Sequence, residues 1–415
     1  MAQSSTISVS STNTPYSRYG LGQLADGGTH ISSAMGGVGY AMRSGRALNP
    51  LNPASYSDID SLSFLFDVGI SGQMSKFSER DTRVSAYNST FDYLQLGFRL
   101  KKNLGLSAGL RPFSYVGYNF GTRGTITDTG TGDETAATYN YYGTGGVQQV
   151  FLGMGYRPFS QLSIGLQASY LFGSLTKTST VTSAAYTSGS VRKSGSMNIY
   201  DYKLEAGLQY TQPLNLRAEQ YLTLGATYAL GHSSDLQATT ITGTQSNDFN
   251  TAFSWPHDIG IGLSYTTPQL TAGIDYNLQM WEQTYYEGLN NDATGHNASA
   301  QQPLLDRHRI SVGVEWVQDR HSSSRFKQLR YRAGAHYATP YYQVKPVGAD
   351  WKDGPNEWGV SAGLGFPLHM LNRSMVHLSC GYVHTAMPNL LTDRNFRISL
   401  GITFNETWFQ KLRVR

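Results

Sequence analysis

Fourteen segments of this chain alternate apolar and polar residues. The last shows the pattern best. In Phe396-Arg397-Ile398-Ser399-Leu400-Gly401-Ile402-Thr403-Phe404 every second residue is apolar. Side chains of a strand point to alternate faces, so such a segment has one greasy face and one wet face. The predicted strands cover residues 61–75, 91–100, 104–120, 147–156, 162–173, 199–212, 221–231, 258–266, 270–281, 309–317, 329–338, 357–366, 375–384 and 395–404. Their connections alternate long and short. The first is about fourteen residues and the second is Lys101-Lys102-Asn103; the third is about two dozen and the fourth turns at Pro158-Phe159-Ser160. The sixth and tenth are the longest of the short set. An even number of strands with alternating loops and turns predicts an all-β fold, a 14-stranded antiparallel transmembrane β-barrel of the bacterial outer membrane. Long connections would then face outward, and both chain ends would be periplasmic.

Parity assigns the faces. Phe64, Phe66, Val68, Ile70, Leu162, Ile164, Leu166, Ile310, Val312, Val314, Trp316, Val360, Ala362 and Leu364 are expected to face lipid. Asp67, Arg99, Lys203, Glu205, Asp275, Arg309, Glu315, Arg330, Arg332 and Arg397 are expected to face the lumen, which reads as polar and charged. Tyr156, Tyr202, Tyr210, Tyr265 and Tyr337, near strand ends, suit the membrane interface.

Composition agrees. Charged residues are 14% of the 415, with 45 Gly and 28 Tyr. Large aqueous domains carry about 25% charge. The net charge of +4 is too small and too dispersed for nucleic acid. The single cysteine, Cys380, forms no intramolecular disulfide. No signal peptide is visible, so the mature form is expected.

Four divisions follow. Residues 1–14 are Ser, Thr and Asn with little else, and read as a flexible arm. Residues 15–60 carry Gly and Pro at a density that opposes regular sheet, and read as a periplasmic plug, or hatch, with a short helix or turn at 38–43. Residues 61–404 form the barrel. Residues 405–415 form a basic, aromatic tail in which Trp408, Phe409, Lys411 and Arg413 are candidates for docking a periplasmic partner.

A plug holding Ala34-Met35-Gly36-Gly37-Val38-Gly39-Tyr40-Ala41 and Asn52-Pro53-Ala54, followed at once by the first strand, resembles the FadL family of outer-membrane transport proteins, which includes aromatic-hydrocarbon channels. Thr14-Pro15-Tyr16-Ser17-Arg18-Tyr19-Gly20-Leu21-Gly22 looks like the branch found in Bacteroidota. The resemblance implies passive uptake of long-chain fatty acids or other hydrophobic molecules. It places Gly36, Gly37, Gly39, Asn52, Pro53 and Ala54 in the plug. It also implies a lateral opening at a kink in the third strand, here Arg111-Pro112-Phe113. The polar long loops and charged inward faces depart from an apolar conduit. The alternative is a non-transporting subunit or adaptor of a larger envelope complex, in protein secretion or outer-membrane assembly. Expected partners are outer-membrane lipid or lipopolysaccharide, a fatty acid or hydrocarbon ligand, or envelope proteins.

No enzyme, metal or cofactor is expected. Gly105-Leu106-Ser107-Ala108-Gly109 and Gly359-Val360-Ser361-Ala362-Gly363 match G-x-S-x-G, but both lie inside alternating strands, without the strand-to-helix turn a nucleophile needs. The ten histidines have no metal-ligand spacing. His377 and His384 fall on opposite faces of one strand.

Overall fold

The computed structural model describes residues 12–79, 82–127, 134–184, 189–242, 245–284, 303–320, 322, 324–344, 350–368, 374–387 and 391–407. Fourteen antiparallel strands close into a barrel. They are β1 (Ser63–Glu79), β2 (Thr82–Lys101), β3 (Leu104–Thr127), β4 (Glu134–Tyr156), β5 (Leu162–Ser183), β6 (Ser190–Asn215), β7 (Gln220–Ala229), β8 (Asp258–Thr266), β9 (Leu270–Gln279), β10 (Arg307–Val317), β11 (Arg330–Ala338), β12 (Asn356–Leu368), β13 (Ser374–Ala386) and β14 (Thr392–Thr407). Each pairs with its neighbours in sequence, and β14 returns to β1 from Thr392↔Ser78 to Thr407↔Ser63. Closure removes free sheet edges, which a hydrocarbon environment does not tolerate.

The predicted faces hold. Ile70, Leu166, Val312, Trp316 and Val360 are exposed on the outside, while Asp67, Gln167, Ser311 and Glu315 are buried within. Tyr156, Tyr210 and Tyr337 are exposed near strand ends, whereas Tyr202, also exposed, falls in the middle of β6 because that strand runs from Ser190 to Asn215. Ser107 and Ser361 lie mid-strand, so neither G-x-S-x-G match forms a nucleophile elbow.

The strand lengths differ from the sequence expectation. A membrane crossing needs about 9–11 residues. Strands β3 to β6 run to 24, 23, 22 and 26 residues, so their distal halves rise beyond a bilayer-thick band. The first connection is not a long loop, because β1 and β2 stay paired out to Glu79↔Thr82. The seventh contains a hairpin, Ser233–Thr242 and Gln245–Ser254, whose first arm pairs with Lys193–Asn198 of β6. The sixth is short, because β6 reaches Asn215.

The distal lumen is also not polar, as parity had implied. Leu171, Leu175, Met197, Ile199, Phe253 and Trp281 are almost wholly buried and form one core with Tyr118, Trp255, Tyr341 and Tyr342. Raised strands and loop segments bury these side chains together, as in a water-soluble domain.

The segment from Thr12 to Leu62 lies inside the barrel. It holds two 3-10 turns, Pro15–Arg18 and Pro53–Asp58, a short helix His30–Ser33, and a two-residue strand Gln23–Leu24. The helix thus falls before residues 38–43, where the sequence suggested it. The segment also runs the length of the lumen rather than staying at the short-turn end. Tyr16 donates to the Leu391 carbonyl beside the long connection before β14, whereas Asp58 pairs with Arg157 beside the short turn after β4.

Candidate functional site

Two features define the site: how the inner segment is held, and how the wall opens behind it. The inner segment is held by polar contacts around the lumen. Asn52 donates from Nδ2 to the Leu208 carbonyl of β6 at 3.2 Å and caps the following turn by accepting from the Ala54 N–H at 3.0 Å. Tyr56 donates to Gln167 at 2.8 Å on β5. The Asp275 carboxylate on β9 accepts from the N–H groups of Gly39 at 2.6 Å and Tyr40 at 2.9 Å. Gly36 donates to Ser361 on β12 at 3.0 Å. Gly36 has φ +72, and a Cβ there would sit 2.5 Å from the Ala335 carbonyl oxygen, so only glycine fits. Across the lumen, a Cβ at Gly165 of β5 would collide with Pro53.

The charges expected in the lumen bind the inner segment, each other or further side chains of the wall. Arg309 pairs with Asp26. Desolvation works against the Asp26 carboxylate, yet the Arg309 guanidinium beside it holds its pKa below the usual carboxylate range. Glu315 takes Arg332 at 2.8 Å and Arg330 at 2.9 Å. Lys203 and Glu205 pair at 3.3 Å. Asp67 accepts from the Tyr93 hydroxyl at 3.2 Å. Arg99 is the departure: it stays at the mouth and donates to the carbonyls of Lys101 and Lys102. Trp408, Phe409, Lys411 and Arg413 lie outside the described residues.

The ladder between β2 and β3 parts partway along the wall. Their ladder runs from Lys101↔Leu104 to Leu94↔Leu110, and among the described residues it goes no further. Both strands continue, each still paired on its other side. A bulge marks each strand near the parting. On β3 the register shifts between Pro112 and Ser114, since proline donates no ladder hydrogen bond. Arg111-Pro112-Phe113 is therefore neither a strand end nor a loop, because β3 runs on to Thr127. On β2 the shift leaves Asp92 unpaired between Phe91 and Tyr93.

Polar side chains at or beside the bulges, Asp92 and Arg111, point inward. Asp92 meets His30 of the inner helix at 2.7 Å and Arg397 of β14 at 2.5 Å, and Ser71 donates to it at 2.9 Å. Behind Pro112 the inner segment takes the place of β2: Leu24 and Gln23 pair with Ser114 and Tyr115, and Ala25 donates to the Phe113 carbonyl at 2.9 Å. Arg111 donates to the carbonyls of Gly27 and, at 3.4 Å, Pro50. Phe113 turns into the distal core against Trp255, with ring centroids 5.4 Å apart. Sequence reasoning found Pro112 and Arg397 but missed Asp92, His30 and Tyr115. An acid in the apolar-polar rhythm of Phe91-Asp92-Tyr93 was the available signal.

Two cavities flank the gap, each about 100 Å³, and both are lined by charge. One touches Asp26, Lys203, Glu205, Asp258, Asp275 and Arg309, the other Asp92, Arg111 and Arg397. A larger one of about 700 Å³ lies at the short-turn mouth, between Met35, Met42, Asp58 and Arg330.

This is the fold of the FadL-type outer-membrane channels. A toluene transporter of Ralstonia pickettii, TbuX, is 15% identical over 91% of this chain and 98% of its own, with a TM-score of 0.57. The Pseudomonas putida toluene transporter TodX is 15% identical over 93% and 100%, with a TM-score of 0.55. A FadL homologue of Pseudomonas aeruginosa is 11% identical over 92% and 99%, with a TM-score of 0.60. No curated protein matches in sequence. The family model that matches is BamG, over residues 1–415, and the chain belongs to that family. The likeness to FadL is thus one of fold.

Proposed function

We propose that this chain is a non-transporting barrel subunit of an outer-membrane complex, with residues 15–60 as a fixed plug. The observation that carries this reading is the polar lock behind the wall gap: Asp92, His30 and Arg397 occupy the place where an apolar molecule would leave. An apolar passenger would have to cross charged cavities of about 100 Å³ and displace buried ion pairs, which costs several kcal/mol for each ion left unpaired. The apolar packing around Trp281 and Phe253 in the distal lumen supports the same reading. The whole chain matches the BamG family model, which sets it apart from the FadL-type channels it resembles in fold. On this reading the long connections face outward.

The parted ladder at Leu94↔Leu110 favours a second reading, in which hydrophobic molecules pass sideways through the wall as the names of the similar channels suggest. Proteoliposomes holding the purified chain separate the two. The subunit reading predicts toluene and oleate entry no faster than in empty vesicles. Entry that rises with protein content and falls on substitution of Pro112 would establish transport.

A further inference from the structure

Above the distal aromatic girdle of β12 to β2, the outside of the barrel carries a row that holds the cations Lys76 and Arg394 beside His384. The ladders place Trp358 opposite His384, His384 opposite Arg394, Arg394 opposite Lys76, and Lys76 opposite Ser85. One step nearer mid-barrel the same strands present Val360, Tyr382, Phe396, Met74 and Tyr87. The row therefore begins where the apolar surface ends. Directly opposed residues have Cβ atoms about 4.5–5.5 Å apart, and like charges so placed repel. No described carboxylate forms an ion pair with Lys76 or Arg394. His384 packs on Trp358, ring centroids 5.3 Å apart, and its Nδ1 is buried with no hydrogen-bond partner among the described residues.

We propose that Lys76, Arg394 and His384 form a binding site for a phosphate group of an outer-leaflet glycolipid. The proposal rests on the orientation given above, with the long connections outside. A phosphate at this height would neutralise the opposed cations. It would accept charge-assisted hydrogen bonds from the Arg394 guanidinium and the Lys76 ammonium, and a further one from the His384 ring. The acyl chains of the same molecule would lie down the face formed by Phe396, Tyr382 and Val360. That continuity between an apolar wall and a cationic rim points to a lipid rather than a soluble anion.

The test is native mass spectrometry of the full chain in detergent, titrated with diphosphoryl lipid A and with the same lipid dephosphorylated. The wild type should retain the phosphorylated form at least about tenfold better. Lys76→Gln with Arg394→Gln should reduce retention to the dephosphorylated level. Lys101→Gln with Lys102→Gln, exposed at the opposite mouth, should leave it unchanged. Equal retention of the two lipids by the wild type would overturn the proposal, and so would full retention by the Lys76–Arg394 variant. Capture of inorganic phosphate with no preference between the lipids would do the same. The wild-type comparison decides even if the variant fails to fold, and none of these outcomes bears on whether the barrel has protein partners.

Discussion

The Asp275 carboxylate accepts the Gly39 N–H at 2.6 Å and so ties the inner segment to β9. The Tyr40 N–H donates to the same oxygen at 2.9 Å. Asp275→Ala strands both donors, at a cost of about 1–3 kcal/mol each. The expected result is a plug that loosens before the barrel unfolds. Limited proteolysis should cut within residues 15–60 while the heat-modifiable gel shift of the barrel persists. Loss of both together would show that plug and barrel form one cooperative unit.

The lock on the wall gap gives a second prediction. Asp92→Ala removes the acceptor shared by His30, Arg397 and Ser71. It leaves the Arg397 guanidinium without its carboxylate, and because that side chain is part-exposed the cost falls below the roughly 3–5 kcal/mol of a fully buried pair. Cells carrying the variant should take up hydrophobic dye faster. The double variant Asp92→Ala with Arg397→Ala should recover part of the loss, because no orphan charge remains. A double variant worse than both singles would argue against the pair.

The distal core is built around Trp281, which is fully buried, its ring centroid 5.1 Å from that of Tyr341. Trp281→Ala should destabilise by about 3–5 kcal/mol. Urea unfolding followed by tryptophan fluorescence measures it. A shift within error would place the barrel's stability elsewhere.

Face assignment has its own test. Val312 is 42% exposed on the lipid side of β10. Val312→Arg should cost about 2–4 kcal/mol near the bilayer midplane. Assembly into the membrane should fall, whereas Ser311→Ala, one residue away and inside, should assemble normally. Normal assembly of Val312→Arg would contradict the orientation of β10.

What the sequence made legible follows from period two. All fourteen barrel strands were found, because one buried or lipid-facing side fixes parity over several residues; the hairpin from Ser233 to Ser254 was not. The extensions of β3 to β6 were not legible. Beyond the membrane, Thr, Ser and Gly replace the apolar members of the alternation, as in Ser174 to Thr182, so those strands read as loops. The core around Leu171, Ile199 and Trp281 was hidden because its members come from distant positions. The gap between β2 and β3 was half visible. Pro112 announces a bulge through its own chemistry, but the Asp92 bulge arises from register with β1, which a single strand does not display. His30 joins Asp92 only through tertiary structure.

The central claim is that this barrel works inside a complex. A tagged chromosomal copy, purified in mild detergent with quantitative mass spectrometry of everything that accompanies it, tests that claim most directly. The account predicts the same envelope proteins in fixed stoichiometry, retained when Pro112 is changed to Ala. A solitary barrel carrying fatty acid or hydrocarbon would contradict it and make the gap between β2 and β3 a route.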